Sequence, residues 1–154
     1  MHPQAPAPTH RERIGTPLID CRPGANLTIN ARRTVTDFDN VTACVLAMNT
    51  HPTHTDYAYA EATQFGKPLV VSPLLLSMLV AFVTNELFDA PIAGFEIRDL
   101  TFDKAVHPGD TVTAKARFEE VSAQHLLIAV TGLRATGETF ARFRLELKLR
   151  AGTP

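Results

Sequence analysis

The sequence is poor in residues that would commit it to metal, redox or disulfide chemistry. It has two cysteines, Cys21 and Cys44, and their separation fits neither a metal-binding knuckle nor a redox pair. Cys44 lies in an apolar helical pattern, where a reduced and buried thiol is the usual state of cysteine. No metal and no redox cofactor is therefore expected.

Long apolar runs and an excess of one charge are also missing. The longest apolar run, Leu74 to Val83, is interrupted by Ser77 and is shorter than the roughly 20 residues that span a bilayer. The net charge is −1, and the signs are interspersed along the chain. Neither nucleic acid nor a membrane surface is therefore expected as a partner, and small molecules or proteins are favoured.

The chain is long enough for one domain, and its first residues are not expected to act as a secretion signal. Its first residues lack the apolar core of a signal, and their proline and alanine content predicts a disordered tail over residues 1–16. The rest, residues 17–154, suffices for one ordinary domain and is too short for two. These features predict a cytoplasmic protein.

The first half of the domain is predicted to contain a strand and two helices. Alternating polar and apolar residues predict a strand over Leu27 to Val35. Thr36 or Asp37 can then cap a helix that ends near Asn49. Its apolar residues recur at three- and four-residue spacing: Phe38, Val41, Val45 and Met48.

The second helix is predicted to be the centre of the fold. A short helical segment, Tyr57 to Thr63, is ended by Gly66 and Pro68. Ser72 as N-cap and Pro73 at the first helical position then predict a helix that continues to about Leu87. This helix is apolar on nearly all sides, so it must be surrounded by protein.

The chain after Ala90 has the pattern of long strands. Four segments are predicted as strands, with a bulge near Asp99 in the first and a turn at His107 to Asp110 after it: Ile92–Ala105, Val112–Phe118, Leu126–Leu133 and Ala141–Leu149. Short connections between long strands indicate an antiparallel sheet. One such sheet wrapped around one buried helix predicts an α+β protein with the hot-dog fold.

The loop between the two helices, Asn49 to Asp56, is the candidate site. His54 follows Pro52 in a polar segment, and imidazole is well suited to proton transfer near neutral pH. Asn49 and Asp56 add an amide and a carboxylate to the same bend. His51 is either solvated or a second polar contact, and Asp56 has the simpler role of capping the segment that begins at Tyr57.

Three segments, in order, resemble the MaoC-type (R)-specific enoyl-CoA hydratases: Met48–Asp56, Phe65–Ser72 and Phe102–Asp110. The resemblance extends over roughly residues 27–121, and the part from Asp39 to Ser72 is most similar to the mesaconyl-CoA or methylmalyl-CoA hydratase branch. It implies a hot-dog fold in a homodimer or higher oligomer.

The resemblance also implies roles for individual residues. His54 matches the family's histidine, and Asn49 stands where the family has an aspartate that shares a bound water with it. Asparagine cannot accept a proton but can hold water through its oxygen or its amide hydrogens, and it also occurs in the mesaconyl-like branch. This leaves His54 as the base. Val71 and Ser72 replace a histidine–glycine pair, and Val80 replaces a hydroxyl residue.

The implied substrate is an acyl-CoA or acyl-carrier thioester, bound by residues that precede and begin the central helix: Phe65, Val71, Ser72 and Leu74. Backbone N–H groups near Ser72 would meet the thioester oxygen. The expected reaction is reversible hydration of an enoyl thioester. The alternatives are a thioesterase, for which Glu86 is the only acid on the central helix, and a non-catalytic thioester-binding module.

Overall fold

The structure is a computed structural model that describes residues 21–87 and 92–150. The tail predicted over residues 1–16 lies outside these residues. The elements follow in the order β1 (Asn26–Leu27), β2 (Arg32–Thr34), α1 (Asp37–Leu46), a 3₁₀ turn (Pro52–His54), α2 (Tyr57–Glu61), α3 (Ser72–Glu86), β3 (Ile92–Phe102), β4 (Thr111–Val121), β5 (His125–Arg134) and β6 (Thr139–Leu149).

The strands form one antiparallel sheet in the order β1-β4-β5-β6-β3, with β2 also paired to β4. The predicted alternation is confirmed in β4, where Val112 and Phe118 are buried while Lys115 and Arg117 are exposed. The buried side chains of the sheet join those of α3 in one hydrophobic core. The sequence therefore predicted the α+β arrangement correctly.

The strand predicted from Leu27 to Val35 is wrong in its middle, because the structure divides it into β1 and β2. Asn30 donates its backbone N–H to the Glu86 carboxylate at 2.9 Å. The carbonyl of Ala31 accepts a hydrogen bond from the Thr113 hydroxyl at 2.7 Å. Because the Asn30 N–H is bonded to Glu86, it cannot donate to the ladder, and pairing with β4 stops at Leu27 and resumes at Arg32.

The predicted bulge and turn are both confirmed. The register between β3 and β6 shifts between Arg98 and Thr101, and Asp99 has a φ of 53°. In the turn, Asp110 donates its N–H to the His107 carbonyl at 3.0 Å, and Gly109 has a φ of 97°, which glycine adopts without steric cost. The bulge therefore lies inside β3, and the turn lies between β3 and β4.

Thr36 caps helix α1, as predicted. Its hydroxyl accepts from the Asp39 N–H at 3.1 Å, and the Asp39 carboxylate accepts from the Thr36 N–H at 2.9 Å. The Thr36 N–H and the Thr36 hydroxyl both donate to the Asp39 carboxylate, and they hold the pKa of Asp39 below its usual value because they favour the ionised form. The reciprocal pair stabilises the first turn of α1.

Helix α1 packs on the protein with a side other than its apolar stripe. Phe38 and Met48 are 78% and 87% exposed, whereas Asn40 and Cys44 are buried. The Cys44 thiol forms no disulfide, and burial raises its pKa, which confirms the predicted reduced and buried cysteine. The three- and four-residue spacing predicted a helix correctly, but it did not indicate the packed side.

The predicted N-cap of α3 is wrong. Val71 is the N-cap and has an extended backbone, while Ser72 already has helical geometry and makes no capping hydrogen bond. The N–H of Leu74 bonds to the Val71 carbonyl at 3.0 Å, so the first turn closes on Val71 rather than on Ser72. Pro73 consequently occupies the second helical position.

Helix α3 lies very close to strand β5 at Gly132. A Cβ at Gly132 would be 2.8 Å from Leu79 Cδ1 and 2.9 Å from Phe140 Cζ, and both of these side chains are fully buried. Real Cβ atoms do not approach other atoms so closely. The absence of a side chain at Gly132 therefore sets the distance between the central helix and the sheet.

We predict that Gly132→Ala lowers the free energy of unfolding by about 1–3 kcal/mol, because overpacking forces buried side chains from their rotamers. Chemical denaturation measures the change. Gly94→Ala in β3 is the matched control, since a Cβ there meets nothing within 4 Å. Equal stability of the two variants would contradict the close contact of α3 with β5.

Candidate active site

The loop after α1 is held in shape by its own side chains. Asn49 donates its N–H to the Cys44 carbonyl at 2.8 Å, and its Oδ1 accepts from the His51 N–H at 3.1 Å. His51 in turn caps the 3₁₀ turn, because its Nδ1 accepts from the Thr53 N–H at 3.3 Å. The loop is therefore a defined structure that presents His54 at its end.

His54 is half-buried, and its Nδ1 lies 2.9 Å from the carbonyl oxygen of Leu69. A carbonyl oxygen can only accept a hydrogen bond, so Nδ1 must carry the proton. In the neutral ring the lone pair then belongs to Nε2, on the opposite side of the imidazole. This tautomer leaves Nε2 as the nitrogen that can take up a proton and return it.

His51 has the opposite tautomer and a different task. Its Nδ1 accepts a hydrogen bond, so the proton of the neutral ring lies on Nε2. The ring is exposed, and its centroid lies 6.2 Å from that of His54 and 6.1 Å from that of Tyr59. The structure thus gives His51 a capping role beside the candidate base.

Asp56 has the structural role that the sequence favoured. Its carboxylate accepts from the Tyr59 N–H at 3.0 Å and caps α2. The hydroxyl of Tyr57 donates to the Asp37 carboxylate, and this hydrogen bond raises the pKa of Tyr57. Helix α2 is thereby attached to the beginning of α1.

Residues 68–71 form an extended segment that connects the loop to the rest of the domain. Its backbone groups bond to four residues in three parts of the chain: Pro68 O to His107 Nδ1 at 2.9 Å, Leu69 N to Thr53 O at 3.0 Å, Val70 N to Val106 O at 2.8 Å, and Val71 N to Asn40 Oδ1 at 2.9 Å. The Leu69 carbonyl, which holds His54, is therefore itself fixed.

Sequence reasoning missed Asn40. This residue is 1% exposed, and its Nδ2 donates to the carbonyls of His54 at 2.8 Å and Leu69 at 3.1 Å. The available signal was a short amide one helical turn before Cys44, on the side of α1 away from the apolar stripe. Its partners lie 14 to 31 residues away, so helical periodicity alone could not identify them.

A groove of about 250 Å³ lies beside the start of α3. It is lined by Phe65, Leu69, Val70, Ser72, Leu75, Phe102, Asp103, Lys104, Ala105 and Val106. Of the four side chains expected to bind substrate, Phe65 and Ser72 line this groove. Val71 is 2% exposed, and Leu74 packs against the hydrophobic core. The groove shares Leu69 with the hydrogen bond that orients His54.

The first turn of α3 offers one open backbone donor at this groove. Pro73 has no N–H, and the N–H groups of Leu74 and Val71 are bonded. The N–H of Ser72 has no hydrogen-bond partner within residues 21–87 and 92–150. The positive end of the helix dipole favours a negative oxygen at this position.

Comparison with known families identifies the domain. A family model described as a MaoC like domain matches residues 20–136, which is most of the chain. The chain belongs to the MaoC-like domain family. The three segments that resemble the hydratases, Met48–Asp56, Phe65–Ser72 and Phe102–Asp110, all lie inside the matched region of this MaoC-like chain. Among curated protein sequences, none matches it.

Solved structures confirm the hot-dog fold of this MaoC-like protein. A monoamine oxidase regulatory protein from Archaeoglobus fulgidus is 26% identical, with a TM-score of 0.78, over 92% of this chain and 98% of its own. An (R)-hydratase from A. caviae, involved in PHA biosynthesis, is 21% identical, with a TM-score of 0.70, over 85% and 98%. A double hot-dog protein from Mycobacterium tuberculosis is 16% identical, with a TM-score of 0.74, over 91% and 46%.

Neither a metal site nor a membrane-spanning helix is found among the described residues. Within the described part of the MaoC-like domain, no group of three or more histidine, cysteine or acidic side chains could hold a metal ion. No helix among the same residues has the length and apolar character needed to cross a membrane.

Proposed function

We propose that this protein catalyses the reversible hydration of an enoyl thioester to a 3-hydroxyacyl thioester, with His54 as general base and acid. The observation that carries the proposal is the hydrogen bond from His54 Nδ1 to the Leu69 carbonyl, which leaves Nε2 with the lone pair. Membership in the MaoC-like family and the likeness to an (R)-hydratase support it. The acyl group is carried by coenzyme A or an acyl carrier protein.

The proposed reaction needs one imidazole. Nε2 of His54 removes a proton from water while the water oxygen bonds to C3 of the substrate. The electrons of the C2–C3 double bond move to the thioester carbonyl and form an enolate. The imidazolium then returns the proton to C2, so one water is added and His54 is regenerated.

The open N–H of Ser72 is the proposed donor to the enolate oxygen. Ser72 lines the groove and lies three residues after Leu69, a separation that an extended chain covers in at most about 10 Å. A fixed backbone donor stabilises the charge that develops in the transition state more than the charge of the ground state. Phe65 and Leu75 supply apolar walls to the same groove.

Asn49 is proposed to orient the water through its amide hydrogens. The sequence left its oxygen and its hydrogens as alternatives, and the oxygen already accepts from the His51 N–H. Nδ2 of Asn49 has no partner among the described residues, so it is the atom that can donate to the water oxygen. Asn49 then holds the water while His54 alone transfers the proton.

The thioesterase alternative receives no support from the described geometry. Glu86 accepts hydrogen bonds from Asn30 and lies 14 residues after Ser72, about 20 Å along the helix. The binding-module alternative has two supporting observations. Asn49 provides no proton-accepting carboxylate, and the Archaeoglobus protein of the same fold is named a regulatory protein.

A homodimer is proposed through the free edge of β3. Within the described part of the chain, this strand pairs with β6 on one side and ends the sheet on the other. Phe95 on β3 is 59% exposed and, with Ile97, Leu76 and Val80, lines an apolar groove of about 330 Å³ between β3 and α3. A second copy paired along this edge would form hydrogen bonds with the unpaired backbone groups of β3 and would cover the apolar side chains.

The role of His54 as the general base is tested with two variants. His54→Ala should lower kcat for hydration by about 10²- to 10⁴-fold, which is the usual contribution of a general acid–base group. His51→Ala removes a cap and should lower it by less than about tenfold. Loss of enoyl-thioester absorbance measures both rates. Near-parent activity in both variants would overturn the assignment of His54.

Variants of Asn49 distinguish the proposed enzyme from a non-catalytic binding module. Asn49→Ala removes the proposed donor and should reduce turnover by about 5- to 150-fold, or about 1–3 kcal/mol, with little change in KM. Asn49→Asp places an anion beside His54, which favours the protonated imidazole and should shift the acidic limb of the pH–rate profile to higher pH.

The decisive comparison is the parent with Asn49→Asp on one panel of enoyl-CoA thioesters. An active parent excludes the binding module. A parent that binds the thioesters without hydrating them, together with an active Asn49→Asp variant, would refute the proposed enzyme. Binding is measured separately by calorimetry, so loss of affinity is not mistaken for loss of chemistry.

The dimer is tested by light scattering at micromolar concentration. The parent is expected to be dimeric, and Phe95→Glu should shift it toward the monomer, because a charge would be buried at the β3 edge. Phe38→Glu on the exposed stripe of α1 is the matched control and should leave the dimer intact. A monomeric parent, or dissociation by Phe38→Glu alone, would contradict assembly through β3.

A further inference from the structure

A single buried amide connects the two parts of the proposed active site. Asn40 is 1% exposed, and its Nδ2 donates to the backbone carbonyl of His54 at 2.8 Å and to that of Leu69 at 3.1 Å. Its Oδ1 accepts from the N–H of Val71 at 2.9 Å. All of its side-chain polar atoms are thus bonded to backbone of the site.

The two hydrogen bonds that Asn40 Nδ2 donates both constrain the His54 imidazole. The Leu69 carbonyl also accepts the Nδ1–H of His54, so Asn40 and His54 share one acceptor. The other contact holds the backbone from which the His54 side chain extends. Asn40 therefore fixes both the origin of the side chain and the partner that determines its ring orientation.

The acceptor contact acts on the other half of the site. Val71 is the N-cap of α3, and the open N–H of Ser72 follows it directly. By holding the Val71 N–H, Oδ1 of Asn40 fixes the first turn of the helix relative to the His54 loop. The amide thus sets the position of the base relative to the proposed oxyanion donor.

Only a short amide has the required atoms. The two carbonyls need a donor and the Val71 N–H needs an acceptor, at one buried point. Aspartate offers no donor when ionised, and serine or threonine has one hydroxyl for three partners. With water excluded from a residue this buried, no solvent molecule can replace a missing hydrogen bond without rearrangement.

We propose that Asn40 is a positioning residue for hydration: it holds the His54 imidazole in the Nδ1–H tautomer and in register with the N-terminus of α3. The inference rests on the proposed role of His54. It assigns to Asn40 no contact with substrate or water, and its effect is exerted through the Leu69 carbonyl and through the backbones of His54 and Val71.

The test uses Asn40→Asp, which keeps the shape and the acceptor but removes the donors, and Asn40→Ala. Misplacement of a catalytic group by about 1 Å can cost on the order of 10²-fold, so kcat should decrease by about that factor while KM changes by less than about threefold. Cys44→Ala is the matched control, since Cys44 is buried one turn later on the same helix and has no side-chain hydrogen bond among the described residues.

A second measurement does not depend on activity. Long-range ¹H–¹⁵N spectra of the His54 ring should show protonated Nδ1 and unprotonated Nε2 in the parent and in Cys44→Ala. A mixture of tautomers is expected in the two Asn40 variants. Folded variants with parental kcat and an unchanged ring tautomer would overturn the inference. An inactive parent would refute the hydratase proposal, while the ring spectra would still decide the role of Asn40.

If both Asn40 variants fail to fold, the role of Asn40 is tested in the parent chain. Scalar couplings across hydrogen bonds should connect the Asn40 amide group to the carbonyl carbons of His54 and Leu69. The same amide protons should exchange slowly with solvent. Absence of these couplings in the folded parent would overturn the inference, and their presence with slow exchange supports it.

Discussion

The Leu69 carbonyl oxygen is the acceptor on which the geometry of the site depends. It receives the Nδ1–H of His54 and one amide hydrogen of Asn40, so a loop, a helix and an extended segment meet at one atom. A carbonyl accepts two hydrogen bonds through its two lone pairs, and both are used here. The tautomer of the neutral His54 ring is a consequence of this contact, because the other neutral tautomer has no proton on Nδ1 to donate to the carbonyl.

The position of that oxygen is secured by long-range contacts rather than by regular secondary structure. Residues 68–71 are not a strand of the sheet, yet their backbone groups form hydrogen bonds with the 3₁₀ turn, with Val106 and with His107. Beyond this segment, α3 is seated on the sheet at Gly132. The site is thus connected to the hydrophobic core through α3 and to the sheet through the His107 turn.

The sequence predicted the parts of the fold that are set by local interactions. The Thr36 cap, the bulge at Asp99 and the glycine turn at Gly109 involve neighbours within a few residues, and strand alternation reports directly on burial. The predicted role of Asp56 as a cap was correct for the same reason.

The sequence predictions are wrong at positions where a group distant in the sequence forms a hydrogen bond with the backbone. Asn30 bonds to Glu86, 56 residues away, and this contact breaks the predicted strand. Asn40 bonds to Val71, 31 residues away, at the residue that replaces Ser72 as the N-cap of α3. The exposed stripe of α1 has a related cause, since the Asn40 amide bonds to three backbone groups on the inner side of the helix, and Phe38 lies on another side.

At position 49, asparagine and aspartate differ at one side-chain atom that is open for a water molecule, because the other atom is an oxygen already bonded to the His51 N–H. One side-chain oxygen accepts the His51 N–H, and an aspartate could make the same contact, so the loop needs no change of shape to contain either residue. The remaining atom is a donor in asparagine and an acceptor in a carboxylate. In the proposed reaction a donor can orient the oxygen of the water but cannot hold its proton. The proton that leaves the water must then be returned by the same imidazole, and the precision with which Asn40 and Leu69 hold His54 becomes the main structural requirement of the chemistry.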